Sequence, residues 1–260
     1  MNTIRVETWN DLHDELFADS WNETLGRHRS SCAFRGCSDT NFSLESALMR
    51  LGGNYEELER HLIRNFRKYA HKDVVERDSF WNWLTLAQHH GLPTRMLDWT
   101  YSPFVALHFA TVNLGQADSD GCIWKLDYHK ASALLPHKLR SRLDELSANV
   151  FTTDILSEQV DSLEEFDLLS KRDFLMFIEP PSIDDRIVNQ FALFSMISNP
   201  RRRQDEWLES HPDIYVKIEI PAALKWEVRD RLDQSNVTER VLFPGLDGLS
   251  SWLKRHYSPR

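Results

Sequence analysis

Two polar clusters about fifty positions apart carry the residue types of a ligand site. The first is Phe34-Arg35-Gly36. An arginine at a strand end, beside a residue with no side chain, can present its guanidinium fork to a phosphate or a carboxylate. A structural ion pair is the competing account. The second cluster runs from Gln88 to Ala110 and stacks Gln88, His89, His90, Thr94, Arg95, Asp98, Trp99, Thr100 and Ser102 into fifteen positions between two apolar stretches. Buried polar groups need partners, so these partner one another, as Arg95 would with Asp98, or a ligand. No metal is expected. Cys32 and Cys37 have no second cysteine pair to complete a zinc site, and adjacent His89 and His90 point in different directions with no third ligand placed by spacing. The third cysteine, Cys122, makes the count odd, which argues against a disulfide framework and for a reducing compartment. Ser102 with His108 or His90 suggests a hydrolase, but G-x-S-x-G is absent and a serine ahead of Pro103 at a helix start ordinarily caps that helix.

The elements that must position these residues are legible in the apolar spacing. A strand and then an amphipathic helix, with Trp9, Leu12, Leu16 and Phe17 on one face, occupy residues 3 to 25. A short strand ends at Gly36, which would free the backbone there. Residues 42 to 50 read as a short helix or turn closed by Gly52-Gly53. A helix over 54 to 72 turns Leu58, Leu62, Ile63 and Phe66 inward. Another over 79 to 90 ends at Gly91, with Pro93 blocking continuation. Residues 94 to 98 read as a strand and Pro103 to Val112 as a helix. Strands follow at 121–128, 174–178, 192–197 and 215–220, with helical pieces over 131–169 and 184–190. Helices close the chain at 222–232 and 249–255, and Glu239 is expected just ahead of a strand at Val241-Leu242-Phe243. Helices early and strands late make an α+β pattern. The expectation is a single domain with a helical insertion after the first strand and a strand-rich second half.

Composition narrows the function. The 260 residues suit one hydrophobic core, and 41% hydrophobic with 11% aromatic residues excludes global disorder. The formal charge of −9, from 31 basic and 40 acidic residues, is wrong for a protein that coats a nucleic-acid backbone. The local basic stretches at Arg60 to Lys72 and at Arg201-Arg202-Arg203 read as solvated faces. The N-terminus lacks a basic-then-apolar signal pattern, and no apolar run approaches the roughly 20 residues needed to span a bilayer. A cytoplasmic protein is the expectation.

Phe34-Arg35-Gly36, then Leu86-Ala87-Gln88-His89-His90-Gly91-Leu92-Pro93-Thr94-Arg95-Met96-Leu97-Asp98-Trp99-Thr100 with Ser102-Pro103, then Ala106-Leu107-His108-Phe109-Ala110, resembles the FRG domain family, which occurs in many bacterial and phage-borne proteins. Arg186-x-x-x-Gln190 followed by Leu193-Phe194 resembles a later element of the family, although Phe191 and Ala192 stand where members often have Gln and Gly. Leu242 to Leu249 resembles its C-terminal signature. The resemblance covers about 25–255 and leaves 1–24 as an N-terminal strand and helix extension.

The order of elements also resembles the ADP-ribosyltransferase plan, and that resemblance implies NAD as substrate. It would set Arg35 on the diphosphate or ribose, with Gly36, Thr94, Arg95 and Gln190 around the cofactor and Trp99 stacked on the nicotinamide. It would make Arg35, Asp98, Thr100 and Glu239 the catalytic set, with Glu239 or Gln190 as the last acidic or amide group. Cleavage of the nicotinamide–ribose bond passes through an oxocarbenium-like state that a nearby carboxylate stabilises. No Gly-rich phosphate loop of the Walker or dinucleotide-fold kind is present. The resemblance implies a toxin or phage-defence effector whose acceptor, a protein or a nucleic acid, is not fixed. The alternative is a nucleotide- or nucleic-acid-binding module without catalysis, using Trp81, Trp83 and Trp99 for stacking and Arg35 and Arg95 for anions. Convergence of Arg35, Asp98 and Glu239 on one cleft would favour chemistry.

Overall fold

The computed structural model describes residues 2–70 and 78–258. Ten strands are seen among them: β1 (Thr3–Arg5), β2 (Trp21–Asn22), β3 (Arg27–His28), β4 (Cys32–Cys37), β5 (Leu97–Thr100), β6 (Gly121–Asp127), β7 (Phe151–Thr152), β8 (Leu175–Glu179), β9 (Ala192–Ile197) and β10 (Tyr215–Ile220). The helices are α1 (Trp9–Phe17), α2 (Tyr55–Tyr69), α3 (Phe80–His89), α4 (Pro103–Thr111), α5 (Tyr128–Ser132), α6 (His137–Leu146), α7 (Thr153–Ser157), α8 (Leu163–Asp167), α9 (Asp185–Asn189), α10 (Gln204–Glu209), α11 (Ala222–Gln234), α12 (Glu239–Leu242) and α13 (Leu246–His256). The fold is a mixed α+β single domain. None of the described helices is long and apolar enough to cross a membrane.

Eight strands form one sheet in the order β1-β10-β6-β4-β5-β9-β8-β7, antiparallel except at its two edges, β1–β10 and β7–β8. The pairing is uneven. β4 runs beside β6 over its whole length, from Cys32↔Asp127 to Cys37↔Cys122. β5 likewise runs beside β9, from Leu97↔Ser195 to Thr100↔Ala192. Between β4 and β5 the register holds at Phe34↔Thr100 alone. The sheet is therefore two halves joined at one rung, and beyond that rung they part.

Three apolar cores fix the halves. On one face of the β4–β6–β10 half, α1, α4 and α11 bury Leu12, Phe34, Ala106, Ile123, Ile218 and Val228. The same face of the β5–β9–β8 half is covered by α2, α3 and the helices after β6, around Trp81, Leu84, Leu139, Phe166, Met176 and Phe194. The opposite face is continuous across both halves, with Trp99, Trp124, Phe177 and Trp207 in one cluster. On the first face two helical layers thus stand either side of the split.

Three local expectations need correcting. The strand expected at 94 to 98 begins only at Leu97. The Arg95 N–H is taken by the Glu59 carboxylate at 3.1 Å and the Met96 N–H by Thr94 Oγ1 at 3.1 Å, so neither is free for a ladder. On α2, Leu58 is exposed while Glu59 faces inward with Ile63, because Glu59 is the partner of buried Arg95. Val241-Leu242-Phe243 is not a strand; Glu239–Leu242 is one helical turn. Helix α2 ends at Tyr69, and positions 71 and 72 of the helix expected over 54 to 72 lie outside the described residues. Each arginine of Arg201-Arg202-Arg203 meets a carboxylate.

Candidate functional site

The split in the sheet opens a cleft of about 850 Å³, lined from both halves. Backbone alternation explains what its floor offers. Tyr128 N donates to Ser31 O at 3.0 Å, so the peptide groups of Ala33, Arg35 and Cys37 also face β6, while those of Cys32, Phe34 and Gly36 face the other way. Phe34 meets Thr100 there. Gly36, one step beyond the rung, turns its N–H and C=O towards the gap.

Gly36 itself has a different role from the one expected. Its φ is not positive, and it lies inside β4 rather than at a turn. A Cβ at this position would overlap the carbonyl oxygen of Ala106 and come within 2.7 Å of Ala110 N. Gly36 lets α4 lie directly on β4, which sets the height of one cleft wall.

Arg35 bridges the split. Its Nη1 donates to the carbonyl oxygen of Asp98 at 2.5 Å, and its Nε is buried without a hydrogen-bond partner. The Asp98 carboxylate is exposed in the cleft and accepts from Gln88 Nε2 at 3.1 Å. Gln88 is oriented in turn by Thr94, whose hydroxyl donates to Gln88 Oε1 at 2.5 Å. Thr94 is fully buried and off the cleft, so it positions Gln88 and is not itself a ligand contact. Thr100 borders the cleft, and its hydroxyl donates to Gln190 O at 2.7 Å. The Gln190 amide, also at the cleft, is committed to Leu242 O at 2.9 Å.

The far wall is basic. His89 Nε2 lies 2.6 Å from Asp184, the residue whose side chain caps α9. Burial opposes ionisation of Asp184, but the Ile187 N–H and His89 win and hold its carboxyl below the usual range. Burial, then the neighbouring His89, lowers the proton affinity of His90. The Arg186 guanidinium stands 5.2 Å over the Phe243 ring. The loop after β4 adds Phe42, Glu45 and Arg50 to the lining. Those three and Arg186 are absent from the candidate set drawn from sequence. The 38–54 segment has no periodicity that would have singled its members out, whereas the Arg186 motif was visible but unassigned.

Besides Thr94, two expected site residues lie off the cleft and a third borders it with its ring in the core. Arg95 is buried and pairs with Glu59 at 2.7 Å and Asp167 at 2.5 Å, not with Asp98. Trp99 borders the cleft, yet its ring is in the core, edge-on to Phe177, with the indole N–H on Ser195 Oγ at 2.6 Å. Strand alternation puts Leu97 and Trp99 on the core face and Asp98 and Thr100 on the other. Glu239 is 4% exposed and sits off the cleft, in a cluster with Arg255 at 2.6 Å and Arg229 at 3.6 Å. Trp81 and Trp83 are buried in α3 as well. Among the described residues no group of three or more His, Cys, Asp or Glu could hold a metal.

A family comparison covers the chain from just before β4 to just past α4. Residues 30–119 match the FRG domain. No curated protein and no solved structure matches the chain. The FRG segment supplies Arg35, Gly36, Gln88, the two histidines, Asp98 and Thr100. Arg186, Gln190 and Phe194 come from beyond the matched residues, stand on the same half of the sheet as Asp98 and Thr100, and complete the cleft.

Proposed function

We propose that the cleft binds NAD or a related nucleotide by its diphosphate and transfers the ADP-ribosyl group to an acceptor. One observation carries the reading: three arginines, Arg35, Arg50 and Arg186, share a cavity with the Asp98 carboxylate and the His89–His90 pair. Its volume of about 850 Å³ suits a small-molecule ligand. In a chain of net charge −9, three guanidiniums against two carboxylates, Glu45 and Asp98, make a local anion site. Arg35 lines the cavity beside its bridge to Asp98 O, and a guanidinium is a donor group suited to a diphosphate.

In this reading the C1′–N bond of NAD breaks and nicotinamide leaves with the electron pair. A lone pair on the acceptor oxygen or nitrogen forms the new bond at C1′, and the acceptor's proton passes to a basic group of the cleft. Asp98, exposed and oriented by Gln88, stabilises the positive charge that develops on the ribose. His90, whose surroundings favour the neutral imidazole, is suited to take the proton. Thr100 fastens Gln190 to the β5 side of the cleft, and Arg35 spans the split. Such chemistry would suit a toxin or phage-defence effector acting on a protein or a nucleic acid.

A second reading, nucleotide binding without chemistry, is favoured by one fact: Glu239, the carboxylate that the transferase layout would put last, is off the cleft. The two readings separate in one experiment. The protein and its Asp98→Asn variant are incubated with NAD labelled in the adenylate part, alone and with protein, RNA and DNA acceptors, and nicotinamide is quantified. Release or label transfer by the wild type and its loss in the variant supports transfer. Saturable NAD binding with neither event leaves the binding module. No binding at all rejects both.

A further inference from the structure

Resting on the nucleotide reading above, we propose that Phe42 is the base-stacking platform of the cleft. It would receive the flat heteroaromatic base of a nucleotide whose phosphates lie among the arginines. The argument begins with the rings that line the cavity. Phe34, Trp99 and Phe194 are almost wholly buried and belong to the cores. Phe109 packs edge-on to Phe243 at 6.1 Å and to His108 at 5.4 Å. Phe42 is 47% exposed, and no ring contact is seen for it among the described residues. Among the described phenylalanines and tryptophans of the lining it is the most exposed.

The loop that carries this ring is held in place before any ligand arrives. Lys225 donates to Ser38 O at 2.7 Å and Lys217 to Thr40 O at 2.7 Å, both from buried ammonium groups. Thr40 N donates to Asp120 O at 2.8 Å, and Phe42 N to Asp39 O at 3.1 Å. Two residues on, Leu44 is buried in the core and its carbonyl accepts from Gln204 N. An exposed phenyl ring on a loop anchored on both sides loses little entropy on binding and gains by covering its apolar face. Arg50 lies farther along the same loop, and Arg35 stands on the strand that precedes it, so one wall offers a ring and cations together.

The test is isothermal titration of the wild type, Phe42→Ala and Phe42→Trp with ADP-ribose and with inorganic pyrophosphate, which has no base. Phe42 is exposed, so neither variant threatens folding. The expected result is a loss of roughly 5- to 100-fold in ADP-ribose affinity for Phe42→Ala. Pyrophosphate affinity should be unchanged, and Phe42→Trp should restore ADP-ribose binding. Unchanged ADP-ribose affinity in Phe42→Ala, or an equal loss for both ligands, overturns the assignment. If the wild type binds pyrophosphate as tightly as ADP-ribose, the stacking role fails while the anion site stands. If it binds neither, the nucleotide reading fails with it.

Discussion

The Arg35 guanidinium donates to the backbone carbonyl of Asp98 at 2.5 Å, across the gap where β4 and β5 part. The side chain thus ties the two half-sheets together one step past their single rung. It also orders a charge at the base of the cleft. The two roles predict different magnitudes.

Arg35→Ala should lose about 1 kcal/mol of stability, one hydrogen bond whose acceptor can turn to water. It should lose more in binding. A charge-assisted contact to phosphate is worth about 1.5–3 kcal/mol, so affinity for ADP-ribose should fall about 10- to 100-fold. Arg35→Lys should recover only part of this, because a point charge cannot both reach Asp98 O and present a fork. Thermal denaturation and titration on the same preparations check both numbers. A large stability loss with unchanged affinity would make Arg35 a strut only.

Gly36→Ala should be among the most damaging single-methyl changes in the chain. The added carbon meets backbone on α4, the Ala106 carbonyl and the Ala110 N–H, so no side chain can swing aside. The helix or the strand must shift, at a cost of about 3 kcal/mol or more. Urea unfolding measures it. A Gly91→Ala control, at a position with φ of +80° and open space around it, should lose less, about 1 kcal/mol.

Glu239 and Asp98 should separate stability from chemistry. Glu239 is enclosed by Arg255 and Arg229; burial works against its charge, but the two guanidiniums hold its carboxyl down to about 2. Its folded pKa lies below the unfolded value of 4.5, so its contribution is present above 4.5 and is lost as the pH falls towards 2. That contribution is about 3 kcal/mol. Glu239→Gln should destabilise at neutral pH by about 3 kcal/mol, leaving Arg255 and Arg229 with Asp233 as their remaining carboxylate, and should flatten the acid limb. Nucleotide affinity at a temperature where the variant is folded should be close to normal. Asp98→Asn should do the reverse, keeping the melting temperature and losing about 100-fold or more in transfer rate. Melting curves from pH 7 to 2.5 and nicotinamide release provide the comparison.

Which parts of this were legible in the sequence follows from the range over which each feature is determined. β6 and β10 announce themselves by alternation, and α3 ends where Gly91 and Pro93 require, because those signals are local. The Phe34-Arg35-Gly36 and Gln88–Thr100 stretches were visible as a pair and do meet, in the split. The reason for Gly36 was hidden because it lies in α4, about seventy residues later. Arg95 looked like a partner for Asp98 because they are neighbours in sequence, while its partners, buried Glu59 and half-buried Asp167, come from helices far along the chain in both directions. Trp99 was misread through strand parity: starting β5 three residues late does not change the alternation, but only the observed core shows which face is inside. The four residues of α12 are too few for any period to declare itself, and Glu239 was misplaced with them.

Asp167 and His108 should impose opposite pH dependences that nearly cancel. Burial raises the Asp167 carboxyl to about 6, above its ordinary 3.8, despite Arg95 beside it. The folded protein therefore takes up a proton there that the unfolded chain does not, and stability rises as the pH falls from 6 towards 4. Burial and the Arg229 guanidinium, whose Nη1 lies 3.0 Å from His108 Nδ1, push His108 down to about 3. Below its ordinary 6.5 the unfolded chain takes up a proton that the folded protein refuses, so stability falls over the same interval. Each slope is about 1.4 kcal/mol per pH unit. Between pH 6 and 4 the wild type should therefore show little net change from this pair. Asp167→Asn should uncover the His108 limb and become steadily less stable as the pH is lowered from 6 to 4. His108→Gln should uncover the Asp167 limb and become more stable relative to its own value at pH 7. Chemical denaturation at half-unit steps across this window reads both slopes. Parallel profiles for the two variants would show that neither group is perturbed as its surroundings require.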